Sequence, residues 1–266
     1  MHKTTSGRTY FLKTFSVCII ASFLMWIVYQ LLMHIKLGSP AECISMAQIC
    51  VVLLTAPYLA AYTVHTRFLN RGFNTYTTAP STMGLITLSP ISPGQCLLRQ
   101  LVMSQVPLFS WILLSTVVAL RVANISVTEV FQILIILGIY SLSAGAVGMW
   151  GSQVFKDALF GTELATLLWC VLIGSAFLLN PFKRYVDDFQ PFIPLVLHLN
   201  PLIVVCCIFE GFDIFRNPVL YELTPVTSYV YMYPKPWYLV GIWQLVIGGG
   251  CFLGTWQMCR SRAYIA

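Results

Sequence analysis

The chain has 266 residues and a formal charge of +6, with 58% of residues hydrophobic and only 9% charged. A soluble domain carries about 25% charged residues, so this composition excludes a sizeable soluble catalytic domain and describes a chain whose solvent is largely lipid. The basic residues are scattered rather than gathered in a patch, which argues against nucleic acid as a partner and for Lys and Arg as topology signals.

The first predicted element follows Lys3, Arg8 and Lys13 and is an apolar run over residues 15–35. It is longer than the roughly 7–15 residues of a signal-peptide core, and no small-x-small cleavage site precedes Lys36, so it reads as an uncleaved first span. Further uncharged apolar runs cover residues 46–64, 102–120, 130–150, 160–179 and 238–259. About 20 residues of helix cross roughly 30 Å of hydrocarbon, and the fifth run reaches that length only by starting near Phe160. Trp150, Trp237 and Tyr238 stand at span edges, where an aromatic belt places them. The expectation is an all-α membrane protein of six transmembrane helices forming one membrane domain over residues 1–266, with no fixed-period repeat or low-complexity linker.

Basic residues orient these spans. Lys3, Arg8 and Lys13, then Arg67, Arg71 and Arg99, then Arg260 and Arg262 share one side of a six-span arrangement, against Lys36 and Arg121 in the short loops of the other. The positive-inside rule therefore puts both termini in the cytoplasm, and the expected location is the plasma (inner) membrane of a prokaryote.

Between spans two and three, Ser92-Pro93-Gly94-Gln95 reads as a capping box with Pro at the first helical position, so a helix should start there and run into span three. Just upstream, Met83, Leu85, Ile86 and Leu88 make a short apolar patch ended by Ser89-Pro90. Spacing alone allows a helix lying on the membrane surface or one docking into a partner. In span four, Ser141, Ala144, Gly145, Gly148 and Ser152 recur at helical spacing, and Gly250 and Gly254 form a G-x-x-x-G in the last span. Such faces let helices approach closely, within one chain or across a dimer seam.

Residues 180–236 form a long outer loop. Within it, residues 192–209 are apolar but carry Pro194, His198, Asn200 and Pro201, which fits a re-entrant or interfacial hairpin better than a lipid-facing span. Tyr229, Tyr231 and Tyr233 alternate with period two, the mark of an extended stretch with its rings on one face, as interfacial anchors or substrate contacts. Asp187 and Asp188 are adjacent and would point apart, so they do not make a catalytic carboxylate pair. Asn124-Ile125-Ser126 matches a glycosylation sequon.

Of nine cysteines, Cys18, Cys50, Cys170, Cys251 and Cys259 lie in or beside apolar runs, where a thiol is a small hydrophobe. Cys43 and the vicinal Cys206 and Cys207 fall where oxidation is plausible, and no Cys/His spacing marks a metal site. The span centres contain no Asp, Glu, Lys or Arg, whereas ion-coupled carriers need ionisable groups near the midplane. No G-x-x-x-x-G-K-[ST] loop occurs either, so energy for any transport would come from another chain.

The stretch Gly84-Leu85-Ile86-Thr87-Leu88-Ser89-Pro90-Ile91-Ser92-Pro93-Gly94-Gln95 resembles the Leu-rich T/S-P-L-S-P loop of ABC transporter permeases of the type 2 exporter family. Leu199-Asn200-Pro201-Leu202, followed by Phe209-Glu210-Gly211-Phe212 and Arg216, is similar to that family's stretch before the final span. The resemblance implies that Met83, Leu85, Ile86 and Leu88 form a coupling helix meeting a separate phosphate-loop ATPase subunit, with Ser92 and Gln95 fixing the next helix start. It further implies a second permease copy or homologue as partner, no cofactor bound by this chain, and a non-catalytic role. Two departures bear on docking: residues 74–81 hold no acid where the family often has Glu-Gly, and Arg99-Gln100 stands where Gly-Lys is usual. The competing class is a membrane-embedded enzyme or assembly factor.

Overall fold

The computed structural model describes residues 4–64, 93–185, 188–221 and 223–263. Over these residues the fold is all-helical, with no strand. Among the described residues, five helices are long and apolar enough to cross a membrane, or six if one bent helix pair counts as a span. This marks an integral membrane protein.

The long helices are α1 (Thr4–His34), α2 (Pro40–Val64), α3 (Pro93–Val122), α4 (Val127–Phe155) and α10 (Tyr238–Ala263). Each exceeds the apolar run that predicted it, because helices continue past the hydrocarbon boundary into polar residues. α5 (Ala158–Ile173) and α6 (Ser175–Leu178) occupy the fifth predicted span. Here the structure corrects the expectation of one continuous helix over residues 160–179: α5 stops at Gly174, and the segment running on to Phe182 turns away by 69°. Sixteen residues rise only about 24 Å, short of the hydrocarbon core. The short helices α7 (Ile193–Leu199), α8 (Ile203–Ile208) and α9 (Pro218–Tyr221) follow, with single 3-10 turns at Asn180–Arg184, Ile214–Arg216 and Pro225–Ser228.

Local chemistry sets several boundaries. Lys36 adopts a left-handed conformation that closes α1. Ser126 caps α4 in a reciprocal box with Glu129. Lys156, again left-handed, ends α4, and Asp157 caps α5 by accepting from Leu159 N and Phe160 N, so the α4–α5 turn needs only two residues.

α4 is the centre of the bundle, with α2, α3, α5 and α10 packed around it, while α1 lies outside against α2 and α3. Small residues make this possible. A Cβ on Gly148 would lie 2.6 Å from Pro57 Cα of α2, one on Gly161 2.6 Å from Ser152 Cα, and one on Gly248 2.6 Å from Ser143 Cα. Those distances leave room for hydrogen alone, so three neighbours meet α4 backbone to backbone.

Candidate functional site

The described residues between 174 and 236 gather at one end of the bundle and cap it. A helix that breaks inside an apolar environment frees backbone carbonyls that must find donors, because hydrocarbon supplies none. At the α5–α6 break several of the freed groups are met. Phe177 N and Leu178 N both donate to Gly174 O, at 2.9 and 3.0 Å. Ser175 Oγ donates to Leu172 O at 2.7 Å. Ile173 O accepts from Asn200 Nδ2 of the cap at 2.8 Å, and Ala176 O from Thr224 Oγ1 at 2.9 Å.

Asn200 is the joint between α7 and α8 and is 3% exposed. Besides reaching Ile173, it accepts from Leu202 N on its own Oδ1 at 2.9 Å, a local turn that bridges Pro201 and starts α8. Two long helices hold the same joint from below: Tyr140 of α4 donates to Pro201 O at 2.9 Å, and Gln244 Nε2 of α10 donates to Leu199 O at 2.8 Å. Ser143 Oγ in turn donates to Gln244 O at 2.5 Å. At the rim, Asn217 Nδ2 donates to Lys36 O, tying the cap to the α1–α2 turn. The cap is therefore fastened to α1, α4, α5 and α10 by side-chain groups reaching carbonyls at helix ends.

Residues 229–233 are extended, and the alternation is as read from sequence: Val230 and Met232 are 82% and 86% exposed, whereas the three tyrosines turn inward. Their hydroxyls bond to protein. Tyr231 Oη donates to Asp213 Oδ2 at 2.8 Å, Tyr233 Oη donates to Asp213 Oδ1, and Tyr229 Oη accepts from Phe189 N at 3.2 Å. Asp213 also accepts from Phe215 N and pairs with Arg216 Nε at 3.3 Å. Burial above all pushes the Tyr231 and Tyr233 phenols above the ordinary tyrosine value, and the Asp213 carboxylate adds to it. These rings clamp the cap to itself.

Polar groups inside the bundle are all uncharged among the described residues: every buried polar side chain is Ser, Thr, Asn or Gln. Gln48 Nε2 of α2 donates to Ser115 Oγ of α3, Trp111 Nε1 of α3 to Ser22 Oγ of α1, and Gln105 Nε2 of α3 to Ala56 O of α2. Ser141 Oγ of α4 completes the last group by donating to Gln105 Oε1. Among the described residues, no three His, Cys, Asp or Glu side chains converge as a metal-ligand set. The nine cysteines are free thiols.

The predicted coupling residues Met83, Leu85, Ile86, Leu88 and Ser92 lie outside the described residues. Gln95 is exposed on the first turn of α3, whose described residues begin at Pro93. Of the predicted packing residues, Gly145 meets Gln105 and Leu101, Gly148 meets Pro57, and Gly254 meets the Trp150 ring. Gly250 faces open space, so the G-x-x-x-G of α10 acts through one glycine within this chain. Sequence reasoning singled out Asn200 as a buried amide but missed Tyr140, Thr224 and Gln244 as cap fasteners. Tyr140 and Gln244 did carry a signal, as hydrogen-bonding side chains within apolar spans.

No family model, curated protein or solved structure matches this chain.

Proposed function

We propose that the chain is the membrane-spanning permease subunit of an ATP-binding-cassette exporter, working with a second permease copy or homologue and driven by a separate phosphate-loop ATPase. The observation that carries this reading is the uncharged interior. Among the described residues the buried polar groups of the bundle are hydroxyls and amides, which do not bind and release a coupling proton, so a gradient-driven carrier is disfavoured. The sequence holds no phosphate loop of its own, which leaves a partner as the energy source.

Two further features support it. The charged, proline-punctuated segment between α2 and α3 carries the resemblance to a coupling loop, on the side that the basic residues assign to the cytoplasm. The capped end then faces outward, with α7 and α8 as a re-entrant pair between the broken fifth crossing and α10. In this reading, closure of the ATPases pushes the Met83 to Leu88 segment, tilts α1 to α3 against α4, and alters access to a path between two permeases.

Purification in mild detergent is expected to retain the ATPase. Burying a large aliphatic side chain is worth about 1.5–3 kcal/mol, and an acidic replacement adds a desolvation cost. Leu85→Asp and Leu88→Asp should therefore strip the ATPase from the complex and abolish transport while leaving membrane insertion unchanged. Equal ATPase recovery with wild type and Leu85→Asp, at matched permease levels, would reduce the segment to a membrane-surface helix.

A further inference from the structure

α5 is too short to cross the hydrocarbon, and its register against α4 fixes the depth at which it stops. Near the α4–α5 turn the two helices meet backbone to backbone, with Gly161 beside Ser152. The path up α5 from Gly161 to Ile173 and the path back along α4 from Ser152 to Tyr140 have the same length, about 18 Å. Both arrive at one joint of the cap, where Asn200 Nδ2 donates to Ile173 O and Tyr140 Oη donates to Pro201 O. α5 therefore ends level with Tyr140. α10 runs parallel to α4, with Gly241 against Ile136 and Ile139, Gly248 against Ser143 and Gly254 against Trp150. That register sets the aromatic pair Trp237 and Tyr238, at the start of α10, level with Ile133 of α4. The stretch of α4 from Ile133 to Tyr140 rises about 10 Å, so α5 stops that far below the aromatic belt at the capped end.

A straight continuation would regain this height within two turns. The chain beyond Gly174 turns by 69° instead. The stretch Ser175–Phe182 is about 12 Å long and at that angle climbs only about 4 Å, which leaves Phe182 about 5 Å short of the belt. What this stretch shows to its surroundings is apolar: Leu178 and Phe182, one turn apart, are exposed, as are Leu167 and Val171 of α5 below the break. Its carbonyls are turned to donors of the protein, with Leu172 O, Ile173 O and Ala176 O accepting from the side chains of Ser175, Asn200 and Thr224. Water would satisfy such carbonyls unaided, and hydrocarbon would not.

We propose that the elbow after α5 is a lipid-binding shelf, on which acyl chains of the leaflet opposite the α4–α5 turn cover Leu178 and Phe182. The covering is continuous with the lipid on Leu167 and Val171, and the fifth crossing ends inside that leaflet instead of at its surface. The assignment goes beyond the transport reading and holds whatever the chain carries and whichever way it is inserted, because depth is measured between helices of this chain alone.

The test places a nitroxide at one position at a time in the full-length chain, reconstituted in phosphatidylcholine vesicles, through a ketone-bearing unnatural amino acid that leaves the nine native cysteines in place. Phe182 is the test position. Phe23, on the exposed face of α1, is the lipid reference, and Thr128, exposed in the first turn of α4, is the aqueous one. Oxygen concentrates in hydrocarbon and a nickel chelate in water, so relaxation of the label by each reports what covers it. At Phe182 relaxation by the chelate should be lost and relaxation by oxygen kept, the pattern of Phe23 and the reverse of Thr128. Chelate relaxation as strong as at Thr128 would overturn the proposal by putting the elbow in water. Loss of both would overturn it by putting protein on the shelf, a second copy of the chain included. If the label at Phe182 prevents folding, Leu178 takes its place and the same readings decide.

Discussion

α1 and α4 are equally apolar and lead opposite lives. Their best windows share a mean hydropathy of 2.1, yet 6% of the α1 window is buried against 56% of the α4 window. The difference lies in side-chain size. α1 presents Phe15, Ile19, Ile20, Phe23 and Trp26 outward, residues that suit lipid as well as protein. α4 carries Ser141, Ser143, Ala144, Gly145, Gly148, Gly151 and Ser152, which lipid gains little from covering and neighbouring helices can approach closely. Hydropathy thus decides whether a helix enters the membrane, and side-chain volume decides how deep in the bundle it sits.

Substitutions can break this comparison, the most damaging first. Gly148→Leu should abolish the folded protein, because the new side chain would collide with the backbone at Pro57 rather than with a movable rotamer. Overpacking commonly costs about 1–3 kcal/mol, and a backbone collision falls at or beyond the upper end. Loss of a monodisperse peak in detergent chromatography is the expected outcome, and a normal peak would show that α2 and α4 can separate cheaply. Next, Gly254→Leu should lower the thermal midpoint by forcing Trp150 aside, whereas Gly250→Leu, facing open space, should leave it unchanged. If Gly250→Leu instead weakens a dimer while sparing the monomer, that glycine serves a seam between copies.

Tyr140→Phe should cost about 1 kcal/mol, the usual worth of one buried hydrogen bond, by leaving Pro201 O without its donor. Limited proteolysis at the cap should register it as faster cleavage, with the rest of the bundle unaffected. The smallest change belongs to α1: Phe23→Leu should stay within about 0.5 kcal/mol of wild type by thermal denaturation, as surface substitutions do. A drop of several degrees there would mean that the α1 face is covered by protein and would end the contrast with α4.

Much of the fold was legible because membrane insertion is a local property. Runs of about 20 apolar residues identify themselves without reference to anything else in the chain. The proline and amide content of residues 192–209 argued for a re-entrant or interfacial hairpin, and the structure puts two short helices, α7 and α8, there. The candidate site was legible only in pieces. Asn200 stood out as an amide among apolar residues, but its partner Ile173 is an unremarkable residue whose carbonyl matters only because α5 breaks one position later. The tyrosine alternation announced an extended stretch, while the identity of the face that receives the rings depended on Asp213, distant enough to be invisible to any periodicity.

By itself the sequence determined a helical membrane protein and its long apolar helices, since each depends on residues within a few turns of one another. Tertiary structure alone decided that α4 is central and α1 peripheral, that the fifth crossing bends, and that four separate segments fasten the cap. The physical reason is that a broken backbone in an apolar medium needs donors, and the donors it finds are whichever side chains folding brings within 3 Å, from anywhere in the chain.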